Sequence, residues 1–429
     1  MAVLTSWIDL ALLQHLFREC PVRDFAVGFW DGTLWSPDPS RPPRFTVVVR
    51  NPDALALLFE KRDEAALGQA FVDGHLDVTG NLEAVFPVAE YLLKHAAVSP
   101  GMLSRAIHAV ARGSRSGRDT SSLPGRKHTK ERDAEAARRH YDLSNEFYGI
   151  WLDPQMVYSC AYFEHPDETL EVAQARKIDY ICRKLRLRRG DRFLDIGCGW
   201  GGLMLHAVER YGVEATGNTV SARQAQFCEK RIDAACVSDR AQVLLADYRD
   251  IEGSGQYDKL ASIGMFEHVG EALQSEYFAR AWRLLRPGGA FLNHAIARRV
   301  DNRTTVGRSF IDEYVFPDGE LLTLDETLGA AEAAGFEVRD VENLREHYVL
   351  TLRLWMRRLE ARADNAVRLV GEKRYRTWRL YLAGSAQAFD SGRLSVFQTL
   401  LVKPDQGRNG LPLTREDWYR SDGAEPGAP

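Results

Sequence analysis

FLDIGCGWGG, residues 193–202, decides the fold. An apolar run ends in Asp195 and passes at once into Gly197, Gly199, Gly201 and Gly202. Glycines at alternate positions let the backbone turn tightly and let a ligand lie against bare main chain. The helix expected behind them, GGLMLHAVERYG, offers free backbone N–H groups to a ligand's polar end. Strand, tight turn and helix in that order open a Rossmann-type domain. Gly197, Gly199 and Gly202 also satisfy the dinucleotide spacing G-x-G-x-x-G. That fingerprint wants an acid at the end of the second strand, where VEATGNTV offers Asn218 and Thr219. The turn therefore reads as a Rossmann-type ligand site at which the dinucleotide reading is weakened. The alternative is a tight turn with no ligand.

Outward from the turn, strands and helices alternate. VEATGNTV, AQVLLADYRD, YDKLASIGMFEHV and GAFLNHAIA read as strands. SARQAQFCEKRIDAAC and YFARAWRLLRPGG read as helices, the second ended by its glycines. This rhythm implies an α/β fold with a doubly wound parallel sheet. Asp247 and Tyr248 close the third strand, where an acid can accept a base's exocyclic amine and a ring can cover its face. Alternatively, Asp247 only caps a turn. After residue 300 the rhythm lapses into an insert. It resumes with the helix TLDETLGAAEAAGF and the strand EVRDVENL, and a long basic helical stretch follows.

The flanks differ in composition. Residues 1–110 read as a small α+β module, with strands in VGFWDGTLW and PRFTVVVRN and helices in NPDALALLF and EAALGQAFVDG. The N-terminus is expected to be an amphipathic helix, since it carries Asp9 and lacks a basic start and a cleavage site. Residues 111–138 are rich in Gly, Ser and charge and read as a basic flexible linker. Residues 139–405 form the main domain, and 406–429 a disordered tail. No run of about 18 apolar residues exists, so nothing is expected to span a bilayer.

Composition narrows the class. With 45% hydrophobic and 27% charged residues the chain is globular. A net charge of -4 argues neither for nucleic acid nor for an acidic tail, and no nucleic-acid partner is expected. Six cysteines lack paired spacing, which fits a reducing cytoplasm better than a disulfide framework. No His, Cys and carboxylate cluster has metal spacing, so no metal is expected.

HYDLSNEFYGIWLDPQMVYSCAYFE (140–164), LDIGCGWGG (194–202), SIGMFEHVG (262–270), FLNHAIA (291–297) and IDEYVFPDG (311–319) resemble signatures of the cyclopropane fatty acid synthase family, which includes the mycolic acid methyltransferases. The likeness runs from about Arg139 to Phe397. LGQAFVDGHLDV (67–78) is similar to the extra N-terminal domain of the bacterial synthases. The resemblance implies a Rossmann-like methyltransferase domain dependent on S-adenosyl-L-methionine, with a helical lid over an acyl tunnel. Tyr158, Ser159, the turn from Phe193 to Gly201, Thr219 through Gln224, and Tyr248 with Arg249 would then hold the cofactor. Cys160, Glu267, His294 and Tyr348, with the backbone of Ile296, would hold a bicarbonate ion beside the reacting alkene. A homodimer is implied as well. One departure stands out. The family usually carries a cysteine in a string like YLxxCAxxFR, where this chain has YLAGSAQAFDSG with Ser385 and Asp390. Covalent catalysis through that position is not expected here, and Ser385 reads as structural.

The implied chemistry suits these residues. A sulfonium methyl is electrophilic and an alkene a feeble nucleophile, so the enzyme must supply proximity and a dry site. Aromatic faces and fixed anions can stabilise the cation that forms. Tyr141, Phe147, Tyr148, Trp151, Tyr158, Tyr162, Phe163, Phe266, Tyr314 and Phe316 are candidates, with half of them expected to be core. Bicarbonate could take the departing proton. His294 and Tyr348 can donate to that ion, and Glu267 could accept its O–H. His268 reads as pointing elsewhere.

The substrate is expected to be an unsaturated phospholipid in an anionic membrane surface, reached from the cytoplasmic side by a peripheral enzyme. Linker cations and Arg353, Arg357, Arg358, Arg362, Arg368, Lys373, Arg374, Arg376 and Arg379 could meet headgroups, or could lie on solvated faces paired with acids. A cyclopropane is the leading product. A methylene or methyl branch, a small-molecule methyltransferase and a catalytically dead binding protein remain alternatives.

Overall fold

The structure, a computed structural model, describes residues 13–51, 63–95, 127–141, 143–301 and 309–419. It separates into two compact units. One gathers residues 1–123, 303–317 and 356–388; the other gathers 124–302, 318–355 and 389–429. The expected module boundary near 110, the first twelve residues and the expected helix NPDALALLF lie outside the described residues, apart from Asn51.

The first unit carries a four-stranded sheet of β1 (Phe25–Gly28), β2 (Leu34–Trp35), β3 (Phe45–Val49) and β4 (Leu76–Gly80), in the order β2-β1-β3-β4. β1 and β3 run parallel, and the other pairs are antiparallel. Aromatic residues fill its core: Phe25 and Phe45 stack at 5.6 Å, and Phe17 meets Phe25 edge-on. Helix Glu64–Val72 starts at Asp63, whose carboxylate accepts the Ala66 N–H at 2.7 Å. Gly68 in that helix is needed for close approach, since an added Cβ would stand 2.1 Å from the ring of Phe310. Arg376 lies over Phe71 and donates to the Phe71 and Leu76 carbonyls at 2.7 and 2.6 Å. Two stretches expected to belong to one continuous domain, 309–317 and 356–388, thus pack in the N-terminal unit. Their partners are tens to hundreds of residues away, which composition does not reveal.

The second unit holds the seven-stranded sheet that the glycine string implies. Its strands are β5 (Arg192–Ile196), β6 (Glu214–Thr219), β7 (Ala241–Leu245), β8 (Tyr257–Ile263), β9 (Leu285–Arg298), β10 (Glu337–Asn343) and β11 (Leu394–Val402). The order is β10-β11-β9-β8-β5-β6-β7. β9, β8, β5, β6 and β7 are mutually parallel, and β11 is antiparallel to both β9 and β10. The strand order reverses between β5 and β8, so ligands are expected beyond the carboxyl ends of these two strands. The βα rhythm does not predict β11, yet this strand brings Gln398 opposite His294.

Three local expectations differ from the structure. Helix Gln274–Leu284 stops before its glycines, and β9 begins at Leu285, whose ψ is 134°. Pro287 explains this: it has no N–H to donate to the Arg283 carbonyl four residues back, its ring crowds that turn, and Arg286 before it is pushed out of helical geometry. The second half of the supposed linker is helix Lys130–Tyr141. Arg132 pairs with Asp318 at 2.8 Å, Asp133 with Arg249 at 2.8 Å, and Lys130 with Asp250. The tail is ordered through residue 419. Trp418 is buried, Arg183 donates to its carbonyl at 2.7 Å, and Arg186 pairs with Asp417. Residues 420–429 lie outside the described residues.

Candidate active site

The turn after β5 needs its glycines. Gly197, Gly199 and Gly201 have φ of +74°, +56° and +80°, the left-handed region where a side chain is strained. Two are also hemmed in. A Cβ on Gly201 would lie 2.3 Å from the Cys228 sulfur, and one on Gly197 would lie 2.8 Å from Met265. At Gly199 an added Cβ would find no atom within 4 Å. That glycine presents bare main chain to open space. Asn218, at the end of β6, clamps the turn. Its side-chain oxygen accepts the Gly197 N–H at 3.3 Å, its carbonyl accepts Cys198 N–H at 2.9 Å, and its amide donates to Ala246 at 3.1 Å. Beside it, Thr219 donates to Gln224 at 2.7 Å, fixing the start of helix Ala222–Ala234.

Beneath the turn, Asp195 is buried, and burial pushes its carboxyl up to about 7. The nearby cation is Lys177, itself buried and pulled down to about 8 by desolvation. Lys177 donates to the Ser159 hydroxyl at 2.6 Å, and Gln174 donates to the Ser159 carbonyl at 2.9 Å. Ser159 is therefore held from both sides by helix Leu170–Leu185. Its neighbour Tyr158 packs against Tyr148, Trp151, His140 and Trp355 at 5.2 to 5.8 Å.

Asp247 does what the plainer reading expected of it. Its carboxylate accepts Arg249 N–H at 2.8 Å and the Arg249 guanidinium at 2.8 and 2.7 Å, which caps the short turn Tyr248–Asp250. The same guanidinium reaches Asp133 at 2.8 Å. Tyr248 is buried under that guanidinium and meets Tyr277 edge-on at 5.6 Å. Its hydroxyl is buried and has no hydrogen-bond partner among the described residues.

The residues expected to cage an anion are held by β9, β11 and the segments beside them. Glu267, just past β8, accepts the Ile296 N–H at 2.8 Å through Oε1. The Ile296 N–H is thus engaged by Glu267. Oε2 of Glu267 is buried and has no partner among the described residues. Burial pushes this carboxyl up to about 7. His294 stands two residues before Ile296 on the same strand face. It is buried, its Nδ1 lies 3.3 Å from the Gln398 amide, and burial with the Lys177 and Lys184 charges holds it neutral. Ile296 pairs with Val396, whose carbonyl accepts Leu344 N–H at 2.8 Å. The Leu344 carbonyl in turn takes the Cys160 thiol at 3.6 Å and the Tyr348 N–H at 3.1 Å. Strand pairing and backbone hydrogen bonds thus connect the segments that carry these five residues. Cys160 is fully buried, donates also to its neighbour's carbonyl at 3.2 Å, and burial pushes its thiol well above the usual range. Burial thus favours the uncharged thiol, which serves here as a hydrogen-bond donor. Tyr348 packs on Phe389 at 4.7 Å and edge-on against Trp355 at 6.0 Å.

The remaining aromatic candidates fall into different parts of the structure. Phe147, Tyr148 and Trp151 are fully buried around Tyr158 and Trp200, while Phe266 sits in the core against Tyr277 and Phe278. Tyr314 and Phe316 belong to the other unit, as does buried Ser385. His268 is buried and pulled down to about 4 by desolvation. Among the described residues no group of three His, Cys, Asp or Glu side chains could hold a metal.

Sequence reasoning missed Gln174, Lys177, Lys184, Asn218 and Gln398. A signal existed for three of them. Gln174, Lys177 and Lys184 follow helical spacing on the buried face of helix Leu170–Leu185, where apolar residues are expected.

Residues 128–399 match the family described as mycolic acid cyclopropane synthetase. The chain is 43% identical over 396 residues to a "Probable fatty acid methyltransferase" of Pseudomonas putida, covering 91% of this chain and 95% of that one. It is 38% identical over 270 residues to cyclopropane mycolic acid synthase 1 of Mycobacterium tuberculosis, covering 60% of this chain and 93% of that protein. The solved cyclopropane synthase MmaA2 of the same organism superposes with a TM-score of 0.60 at 36% identity, over 62% of this chain and 97% of that chain. CmaA1, solved with SAH and CTAB, superposes with a TM-score of 0.58 at 36% identity, over 62% and 97%.

Proposed function

We propose, from the premise that the chain belongs to the mycolic acid cyclopropane synthetase family of S-adenosylmethionine-dependent methyltransferases, that it adds a one-carbon unit to the double bond of unsaturated acyl chains in membrane phospholipids and closes a cyclopropane ring. The observation that carries this reading is Glu267, one oxygen pinned by Ile296 and the other buried without a partner among the described residues. A buried carboxylate left half-satisfied is costly, and such cost persists where a ligand completes the site.

The residues fit the co-substrate. Gly199 offers main chain with open space before it, and Gly197 to Gly201 form a cradle that a Cβ would fill or strain. Tyr158, Ser159, Asp195, Thr219, Gln224, Asp247 and Tyr248 surround that turn in our reading. Bound S-adenosylmethionine supplies an electrophilic methyl. The residues also fit bicarbonate. The unpartnered Glu267 Oε2 can accept the ion's O–H, and His294 can donate to its oxygen. Bicarbonate in that place supplies a base.

The chain's own part follows. Burial of Cys160, Glu267 and His294 excludes water from the alkene. The C–S bond breaks as the new C–C bond forms, leaving a thioether and a cation on the acyl chain. The rings of Tyr158, Trp355 and Tyr348, linked at 5.3 and 6.0 Å, can face that charge. Glu267 orients the base. Loss of a proton from the new methyl closes the ring. Loss from a neighbouring carbon would leave a branch.

The membrane side is narrower than sequence suggested. Arg376 and Arg379 are tied to Asp77 and Glu360 inside their own unit, and Arg353 pairs with Asp390. Described cations of the supposed linker are paired too. Lys373 pairs with Asp73 at 2.7 Å, which leaves Arg368 and Arg374 exposed, next to Leu369 at 40% exposure. These are the groups we assign to anionic headgroups. Among the described residues no helix is long and apolar enough to cross a membrane, and we read the enzyme as peripheral on the cytoplasmic face. A homodimer belongs to the same reading, and light scattering checks it.

Mass spectrometry of lipids from a host expressing the chain tests the whole. A gain of about 14 Da on unsaturated chains, one CH₂, is the expected result. NMR of the purified lipid then separates ring from branch. Unchanged lipids together with methyl transfer to a small amine would sink the proposal.

A further inference from the structure

Behind His294 lies a row of buried polar groups that the reaction does not use. Gln398 stands directly across the β9–β11 ladder from His294, and both are almost fully buried. The Gln398 amide nitrogen lies 3.3 Å from His294 Nδ1. Its carbonyl oxygen accepts the Lys184 ammonium at 2.9 Å. Lys184 is itself buried, 4.6 Å above the Tyr180 ring, in an ion pair with Glu342 and 3.7 Å from Asp340.

The donor inventory of these groups leaves one arrangement. An ammonium has three donors and no acceptor, so it must face an oxygen. Lys184 therefore sets which way the Gln398 amide lies, with its NH₂ toward His294. An NH₂ group cannot accept, so His294 Nδ1 must. In a neutral imidazole the other nitrogen then carries the proton.

We propose that Gln398 and Lys184 are positioning residues that lock His294 as its Nε2–H tautomer, making it a hydrogen-bond donor to the anion in the site and never the base. The inference rests on the functional reading above for the identity of that anion. It deepens that reading by placing the departing proton on the Glu267 side of the site. Glutamine also insulates the ring: it links His294 to Lys184 without offering a titratable group between them. Burial and the two neighbouring lysines favour the uncharged ring, in agreement.

Long-range ¹H–¹⁵N correlation spectra of the full chain, labelled at histidine and assigned with His294→Asn, read the tautomer directly. The wild-type protein is expected to show the proton on Nε2. In Gln398→Glu a carboxylate faces Nδ1, and the pattern should switch to Nδ1–H or to imidazolium. Turnover should then fall about tenfold or more, while S-adenosylmethionine affinity by calorimetry changes less than about twofold, as for orienting groups behind other ligands. Gln398→Met keeps the length and removes the donor, and should give both tautomers. A wild-type spectrum with the proton on Nδ1 or on both nitrogens overturns the proposal, as does a Gln398→Glu protein that keeps the Nε2–H pattern. The spectrum needs no lipid, so its outcome is distinguishable from a failure of the functional reading.

Discussion

Asp247 and Glu267 follow two strands of the same sheet, β7 and β8, and the sequence presents them alike: a lone acid just past an apolar strand. The structure treats them oppositely. Asp247 is saturated by Arg249, from the main chain and from two guanidinium nitrogens. Glu267 makes one bond to Ile296 and leaves its second oxygen buried and unpartnered among the described residues. A carboxylate whose needs are met inside the fold stabilises it. One whose needs are half met is held there at a cost that only a ligand offsets.

The largest effect that could break this contrast comes from Glu267→Gln. The amide oxygen can still accept the Ile296 N–H, but the negative charge is gone. Turnover should fall on the order of 10² to 10⁴-fold, the usual range for losing a proton-handling group. Stability at pH 8 should rise, because a buried charge has been removed. Asp247→Asn should move stability the other way, down by about 1 to 3 kcal/mol, since it weakens the pairing of a buried guanidinium. Chemical denaturation paired with turnover reads both. If both variants lose stability, the contrast is wrong.

Glycines give the next test, within the turn itself. Gly201→Ala puts a methyl 2.3 Å from the Cys228 sulfur at a φ of +80°, so it should cost about 2 to 5 kcal/mol of stability. Gly199→Ala meets no atom within 4 Å at φ +56° and should cost only about 1 to 2 kcal/mol. Its methyl would stand where ligand is expected, so S-adenosylmethionine affinity should fall about tenfold or more, an overpacking loss. Equal affinity losses at equal stability would show that Gly199 does not face the ligand.

A smaller effect appears in the pH dependence of stability. Glu267 has its folded pKa raised from 4.5 to about 7 by burial. Between those values the native state holds a proton that the unfolded chain has lost. Stability contributed by the neutral acid is therefore present below about pH 4.5 and is lost as pH climbs toward 7. The loss relative to Glu267→Gln should be about 3 kcal/mol across that window. Asp195 has the same sign and stays in both proteins, so the difference curve isolates Glu267. A flat difference curve would place Glu267 in water.

How much of this was legible depends on the range of the interaction that decides it. The glycine turn is local: alternate glycines after an apolar strand have one steric meaning, and the sheet, the turn and Asp195 follow from it. The anion cage is not local. Glu267 meets Ile296 across 29 residues, and His294 meets Gln398 across 104. The resemblance put Glu267 and Ile296 in one site, but it could not show that the Ile296 N–H is engaged by Glu267. Residues 127–138 misled for the same reason. Their composition is that of a linker, yet Arg132 finds Asp318 186 residues away and becomes part of a helix with a tertiary anchor. Charge in a sequence says nothing of where its partner lies.

Cys160 should give the smallest effect, and it sharpens the comparison from a third side. Like Asp247 it is satisfied internally, with its thiol shared between the Ala161 and Leu344 carbonyls, and like Glu267 it belongs to the anion site we propose. If the thiol matters only as a donor to those carbonyls, Cys160→Ser keeps that role with a shorter, stronger donor. Turnover should then stay within about fivefold of wild type, or about 1 kcal/mol. Cys160→Ala loses the donor and leaves the Leu344 carbonyl one partner short, costing about 1 to 2 kcal/mol of stability. Thiolate chemistry predicts the reverse order, with serine as inactive as alanine. Burial that holds the thiol protonated argues for the first outcome, and turnover of the two variants side by side decides it.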